Sequence, residues 1–388
     1  MTKFSLHVFY PLSFWGGGPP ETCYRICSHW PKQGLPVQIY TAACLRGDPA
    51  RIMAPALPIV LPQRLQRRLA AVTYLDTILQ QRSMEQAVAA VRPGDLCYCW
   101  PGTPIDAIKA ARERGARIML EFINTHVAYA KRLLDAECDR IGAPRYTHFT
   151  DETLKHEAAR IGLADLIFAP GPFVERSIRE TTFKLPQIAS ASYGSYLPTE
   201  LQRRSSETGR RRPLRYLFVG SVGLRKGAHI LMEAWRQAAL PAELWIAGTI
   251  EKHIESKEYR ERFIGTIPDS VRFIGHVSDM SSVYREVDVF VFPSIEEGGP
   301  QVVYEAAAHR LPLIVTPMGG GWIARDGITA LVVASSDVIS LAQALVKLHS
   351  DQNLRWELGE QARADAAHYT WDQVANHRRK TLLDFASS

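Results

Sequence analysis

Residues 291–317 read VFPSIEEGGPQVVYEAAAHRLPLIVTP, and the order of residue types in this stretch decides the fold. The apolar run Val289–Phe292 predicts a buried strand, which Pro293 and Ser294 end. Gly298 and Gly299 predict a tight turn, and Pro300 is well placed for the first helical position, where a missing N–H costs nothing. A helix is expected from about Gln301, with Val302, Val303, Ala306 and Ala307 facing the sheet. Glu305 then sits just over one turn into that helix and Glu297 in the loop before it, so both carboxylates are expected to point into one crevice. At the C-terminal end of a parallel strand, the same crevice receives the free N–H groups of a helix N-terminus, which is where a phosphate binds.

Working outward, strands and helices take turns along the whole chain. LHVFY, a helix over Pro20–Trp30, VQIYTA, a helical region from about Gln63 to Val91, LCYCW, a helix over Thr103–Gly115 and RIMLEFI follow one another in the N-terminal half. Such alternation argues for right-handed crossovers and a parallel sheet. The pattern stops at the polar, proline-bounded stretch Ser195–Pro213 and resumes at Leu214. It runs to about Ser350, and two helices, Asn353–Tyr369 and Trp371–Phe385, close the chain.

The 388 residues suit two domains of nearly two hundred residues each, and a hydrophobic content of 46% supplies a core for both. No run approaches 18 uninterrupted apolar residues, so no membrane span is expected. The opening MTKFSLHVFYPL enters strand patterning directly, without a signal-like segment, and a cytoplasmic location is expected. Six cysteines without a CxxC pair fit reduced thiols. The net charge of +6 is mildly basic. Arg64, Arg67 and Arg68 share a predicted amphipathic helix, and Arg203, Arg204, Arg210, Arg211 and Arg212 crowd the stretch before Pro213. These clusters read either as a solvated helix face and linker or as peripheral contact with anionic membrane lipid. Nucleic acid is not expected as a partner, because no recognition motif accompanies the charge.

The ordered set of motifs resembles the retaining glycosyltransferases of the GT-B fold, family 4, also described as glycosyl transferases group 1. Glu297 and Glu305, with seven residues between them, resemble that family's paired-glutamate signature. LRYLFVGSVGLRKGAHILMEAWRQA resembles its first C-terminal strand, phosphate loop and helix, ELWIAG its next strand, VRFIGHV its base-binding strand and turn, and DGITALVV its closing loop. The resemblance is strong from about Leu214 to Val333. It is looser through Gly16–Gly18, EFINTH and TDETLKHEAARIGLADLIFAP. It implies an α/β chain of two Rossmann-like domains facing across a cleft. Residues 1–197, with a last helix 371–388 crossing back, would form the acceptor-binding domain, 198–213 the linker, and 214–370 the domain that binds a nucleotide-sugar donor.

The resemblance assigns roles residue by residue. Arg225 and Lys226 would meet the charge that develops as the nucleoside diphosphate leaves, with Gly223 giving close backbone approach. Many family members carry an arginine where Ser221 stands, which moves that task to Arg225. Glu305 would hold the ribose hydroxyls, and Glu297 would contact the donor sugar; Glu296 is its neighbour and competitor, and the seven-residue spacing favours Glu297. Gly298, Gly299 and Gln301 would offer backbone N–H groups around Pro300, and His276 with Val277 would lie at the base. His126 would reach the donor sugar from a strand end, with Asn124 and Glu121 nearby, and Gly17 and Gly18 would lie under the diphosphate. Trp322 stands where the family pattern has an acidic residue. No Asp-x-Asp follows a strand, so neither metal nor cofactor is expected. The implied reaction is transfer of a sugar from a nucleotide diphosphate to a glycan or lipid-linked acceptor with retained configuration, by a front-face route. A nucleotide-sugar epimerase of similar architecture would lack an acceptor, and an inactive binding scaffold would be expected to lose Glu297, Glu305 or the basic pair; all are present.

Overall fold

The computed structural model describes residues 4–14, 17–45, 47–57, 73–145, 149–181, 184–199, 212–251 and 267–388. Two parallel sheets organise them. The first contains β1 (Leu6–Phe9), β2 (Val37–Thr41), β3 (Met53–Pro55), β4 (Leu96–Cys99), β5 (Arg117–Glu121), β6 (Leu166–Ala169) and β7 (Gln187–Ser190), in the order β3-β2-β1-β4-β5-β6-β7. The second contains β8 (Leu214–Val219), β9 (Ala242–Ala247), β10 (Val271–Gly275), β11 (Val289–Phe292), β12 (Leu313–Val315) and β13 (Ala330–Val332), in the order β10-β9-β8-β11-β12-β13. In β1, β4, β6 and β11 every position is buried, as a parallel sheet covered on both faces requires.

Strand order reverses between β1 and β4 in the first sheet and between β8 and β11 in the second. Loops leaving the C-terminal ends of such neighbouring strands diverge and open a crevice. In the second sheet these loops are residues 220–227 and 293–300, the two segments that carry Arg225, Lys226, Glu296 and Glu297.

The helix Trp371–Ser387 packs on the first sheet: Trp371, Val374, Ala375, Leu382 and Phe385 join the core that holds Leu6, Tyr98 and Phe168. Arg378 fixes it. Its guanidinium donates from Nη1 and Nη2 to Glu121 at 2.7 and 3.1 Å, and both side chains are fully buried. A second element crosses the other way. The helix Val127–Ile141 leaves the first sheet after β5, yet Leu134 and Cys138 belong to the core of the second. Its Glu137 carboxylate takes hydrogen bonds from Arg140 on its own helix and from His229 Nε2, at 2.5 Å, on the helix Ala228–Ala238 of the other domain. Of the expected linker, residues 200–211 lie outside the described residues, as do Arg64, Arg67 and Arg68.

Candidate active site

Gly227 turns the chain at φ +69°, and a Cβ there would come within 2.0 Å of Pro293 O. The loop before it is therefore pressed onto the loop that follows β11. Ile295 N donates to Arg225 O at 2.9 Å, and Arg225 Nη1 donates to Glu296 O and Oε2 at 3.2 Å each. Lys226 Nζ donates to Glu297 Oε1, which also accepts from Ser294 Oγ at 3.1 Å and lies 3.9 Å from Arg225 Nη1. Two cations and two carboxylates thus alternate in a nearly closed space, and Glu296 and Glu297 are 2% and 6% exposed. Burial opposes ionisation of Glu297, but Lys226 and Arg225 beside it hold its carboxyl below the usual range. Burial lowers the Lys226 ammonium against the pull of Glu297. For Arg225 burial also disfavours the charge, and Glu297 and Glu296 more than restore it.

Glu296 reaches further than its neighbour. Its Oε1 accepts hydrogen bonds from Thr125 N at 3.0 Å and Thr125 Oγ1 at 2.7 Å, so one buried carboxylate joins the first domain to Arg225 of the second. The backbones also touch here: a Cβ on Gly298 would fall 1.8 Å from Ile123 O, and one on Gly299 would fall 2.4 Å from the Tyr193 ring. Beside this seam lies a cavity of about 360 Å³ lined by Phe122, Ile123, Thr125, Glu157 and Arg160 on one side and Arg225 and Glu296 on the other.

Glu305 sits in the helix Gln301–Ala308, where Tyr284 OH donates to Oε2 at 3.0 Å and Gln301 Nε2 to Oε1 at 3.1 Å. Burial raises its carboxyl above the ordinary value. It lines a different cavity, of about 510 Å³, whose wall includes Glu21, Arg25, Tyr196 and Trp371. Gln301 links this side to the first domain, since its Oε1 accepts from Thr22 Oγ1 at 3.3 Å.

The sequence pattern of the family described as Glycosyl transferases group 1 matches residues 213–351. The C-terminal half is thus similar to the group 1 glycosyl transferases. A capsular polysaccharide biosynthesis glycosyltransferase of Staphylococcus aureus, CapM, is 31% identical over 150 residues, which cover 38% of this chain and 39% of that protein. The chain spans less than half the length of the curated relatives it matches first. Whole-chain likeness appears in solved structures. Sucrose-phosphate synthase from Thermosynechococcus elongatus superposes with TM-score 0.73 at 19% identity over 99% of this chain and 100% of that one. HepE of Anabaena, solved with UDP and glucose, gives 0.64 at 14% identity over 98% and 99%. The fold is GT-B.

Within the C-terminal domain the structure places the expected residues unevenly. Arg225, Lys226 and Glu297 come together, whereas Glu297 and Glu305 do not open into one cavity. Glu297 is folded back onto Lys226, and Glu305, a turn along the helix, faces Tyr284. Pro300 is the residue that caps the helix, one position earlier than expected. Gly298 is needed for the approach of Ile123, and Gly223 for the Glu251 carboxylate, whose atoms would lie 2.1 Å from an added Cβ. His276 is exposed past the end of β10, and Val277 packs partly against the core. Gly17 and Gly18 start the helix Gly18–Cys27, and Gly16 lies outside the described residues.

His126 does not line the cavity between the domains. Its Nδ1 accepts from Ala128 N at 3.2 Å, capping the helix Val127–Ile141, and its Nε2 lies 3.2 Å from Glu157 Oε2. Burial lowers its basicity. Thr125, the residue before it, is the one that crosses the seam. Sequence reasoning also missed the cross-domain part of Glu296, whose only local signal is the Glu-Glu doublet, and the pair Glu137–His229, which has none.

Proposed function

We propose that this protein is a retaining glycosyltransferase. It moves a sugar from a nucleotide diphosphate sugar to a glycan or lipid-linked acceptor in cell-surface polysaccharide synthesis, without metal or cofactor. One observation carries the reading: the buried Arg225–Lys226 pair stands at the divergence of the loops after β8 and β11, beside a seam completed by the other domain. In the reaction the bond between the anomeric carbon and the β-phosphate oxygen breaks while the acceptor oxygen bonds to that carbon from the same face. The acceptor proton passes to the departing phosphate oxygen, and charge grows on the diphosphate. Two fixed cations meet that charge at little reorganisation cost. Lys226 would exchange Glu297 for the diphosphate, leaving Glu297 to face the sugar, and Glu305 would take the ribose hydroxyls. The relatives support this direction: CapM is a capsular polysaccharide biosynthesis glycosyltransferase, and HepE was solved with UDP and glucose. The enzyme would work in the cytoplasm, with peripheral contact at the inner face of the membrane; no described helix is long and apolar enough to span one.

Thermal shift with UDP-, GDP- and ADP-sugars tests the reading. A donor at a hundredfold its dissociation constant adds about 2.7 kcal/mol to stability. Nuclear magnetic resonance of the product then gives its anomeric configuration, and EDTA should leave turnover intact. Silence with all three nucleotides, or an inverted product, refutes it.

A further inference from the structure

The cavity of about 360 Å³ holds a guanidinium that the protein leaves largely unmatched. Arg160 donates from Nη2 to Trp100 O at 3.2 Å, its buried Nε has no partner, and it enters no ion pair among the described residues. The other charged groups of the cavity are committed elsewhere. Glu296 and Arg225 satisfy one another, and Glu121 is bound to Arg378. Glu157, one turn before Arg160, accepts Val127 N–H at 2.7 Å through Oε2, and burial lifts its carboxyl to about 7. Glu157 and Arg160 attract one another, but the burial of Glu157 outweighs that pull, so near neutral pH it matches the guanidinium only in part. A partly buried cation without a full counter-charge is costly, and a ligand that brings an anion recovers that cost.

We infer that this cavity is the acceptor subsite and that Arg160 receives an anionic group on the acceptor, a phosphoryl or carboxylate group. The inference rests on the glycosyltransferase reading. A planar guanidinium with unused donors matches the oxygens of such a group, and Phe122, Ile123 and Phe149 supply apolar wall for a sugar ring or polyol beside it. The opposite wall is Arg225, next in the chain to Lys226, so an acceptor anchored at Arg160 extends toward the transfer site. A further hollow of about 340 Å³, lined by Glu152, Thr153 and His156, shares Val127, Glu157 and Arg160 and gives a longer acceptor its way out.

The test is calorimetry on the whole chain, first with UDP, GDP and ADP, then with the best of them saturating. Glucose 6-phosphate should bind about tenfold or more tighter than glucose, the ratio that one charge-assisted hydrogen bond supports. Arg160→Met should erase the preference and Arg160→Lys should keep part of it, both with unchanged nucleotide affinity. Dihexanoyl phosphatidate distinguishes the source: Arg160-dependent binding of the lipid but not the sugar phosphate assigns a lipid headgroup, and the converse assigns a soluble or glycan-borne group. Either supports the inference. Equal affinity of the wild-type protein for glucose and both phosphates overturns it without relying on a variant, as does a preference that survives Arg160→Met. Failure to bind any nucleotide would instead refute the glycosyltransferase reading.

Discussion

Replacing Glu296 by alanine should loosen the seam between the domains. The carboxylate is 2% exposed and accepts from Thr125 N at 3.0 Å, Thr125 Oγ1 at 2.7 Å and Arg225 Nη1 at 3.2 Å. Truncation leaves an N–H, a hydroxyl and a guanidinium facing a space with no acceptor. Removing one partner of a buried charged pair costs roughly 3–5 kcal/mol. Arg225 lies in the same domain as Glu296, so that cost is borne whether the domains are open or closed; the two hydrogen bonds from Thr125, worth roughly 1.5–3 kcal/mol each to a charged group, are the part that falls on the closed arrangement. A loss of about 3 kcal/mol lowers the closed-to-open ratio roughly a hundredfold. Glu296→Gln keeps an acceptor oxygen for Thr125 but loses the charge beside Arg225, and should cost about half as much. The assay is a double-mutant cycle of Glu296→Ala with Thr125→Val, read by urea unfolding, together with small-angle scattering. The coupling energy should be about 1–3 kcal/mol, and the radius of gyration should rise in Glu296→Ala. It should rise further when His229→Ala also removes the partner of Glu137 at the far end of the helix Val127–Ile141. Additive single effects and unchanged scattering would refute the reasoning.

Glu305→Ala should weaken nucleoside diphosphate binding by roughly 1.5–3 kcal/mol, the worth of hydrogen bonds to a carboxylate; unchanged calorimetric affinity in a folded variant counts against the ribose assignment. Lys226→Met should lower kcat with a smaller effect on the donor KM, because the charge it meets grows as the leaving group departs, and steady-state kinetics decide between this and a binding role. The Glu157 carboxyl, at about 7 in the folded chain against about 4.3 unfolded, favours folding in its protonated form. Its contribution is complete below the unfolded value and is lost as pH rises through about 7. Urea midpoints of wild type relative to Glu157→Gln should therefore fall between pH 5 and 8, and parallel profiles would show that Glu157 titrates normally.

Local sequence carried the elements and their order. The run Val289–Phe292, the breakers Pro293 and Ser294 and the apolar face of Gln301–Ala308 specify strand, turn and helix through interactions within a few residues, and the structure has them where the pattern put them. The same holds for Arg225 and Lys226, which follow β8 in a loop whose Gly227 must adopt positive φ. What the sequence could not express is which side chain a loop turns toward which neighbour. Glu296 and Glu297 are adjacent and chemically identical, yet one pairs with Lys226 and the other with Thr125, 171 positions away. His126 looked like the residue that reaches the cleft, but its imidazole spends Nδ1 on its own helix and Thr125 crosses instead. Glu137 and His229 meet only because the helix Val127–Ile141 packs on the opposite domain. Backbone patterning is set by short-range propensity and burial, so one chain segment suffices to read it. Partner choice among buried charges depends on the domain that desolvates them, and only the assembled tertiary structure supplies that domain.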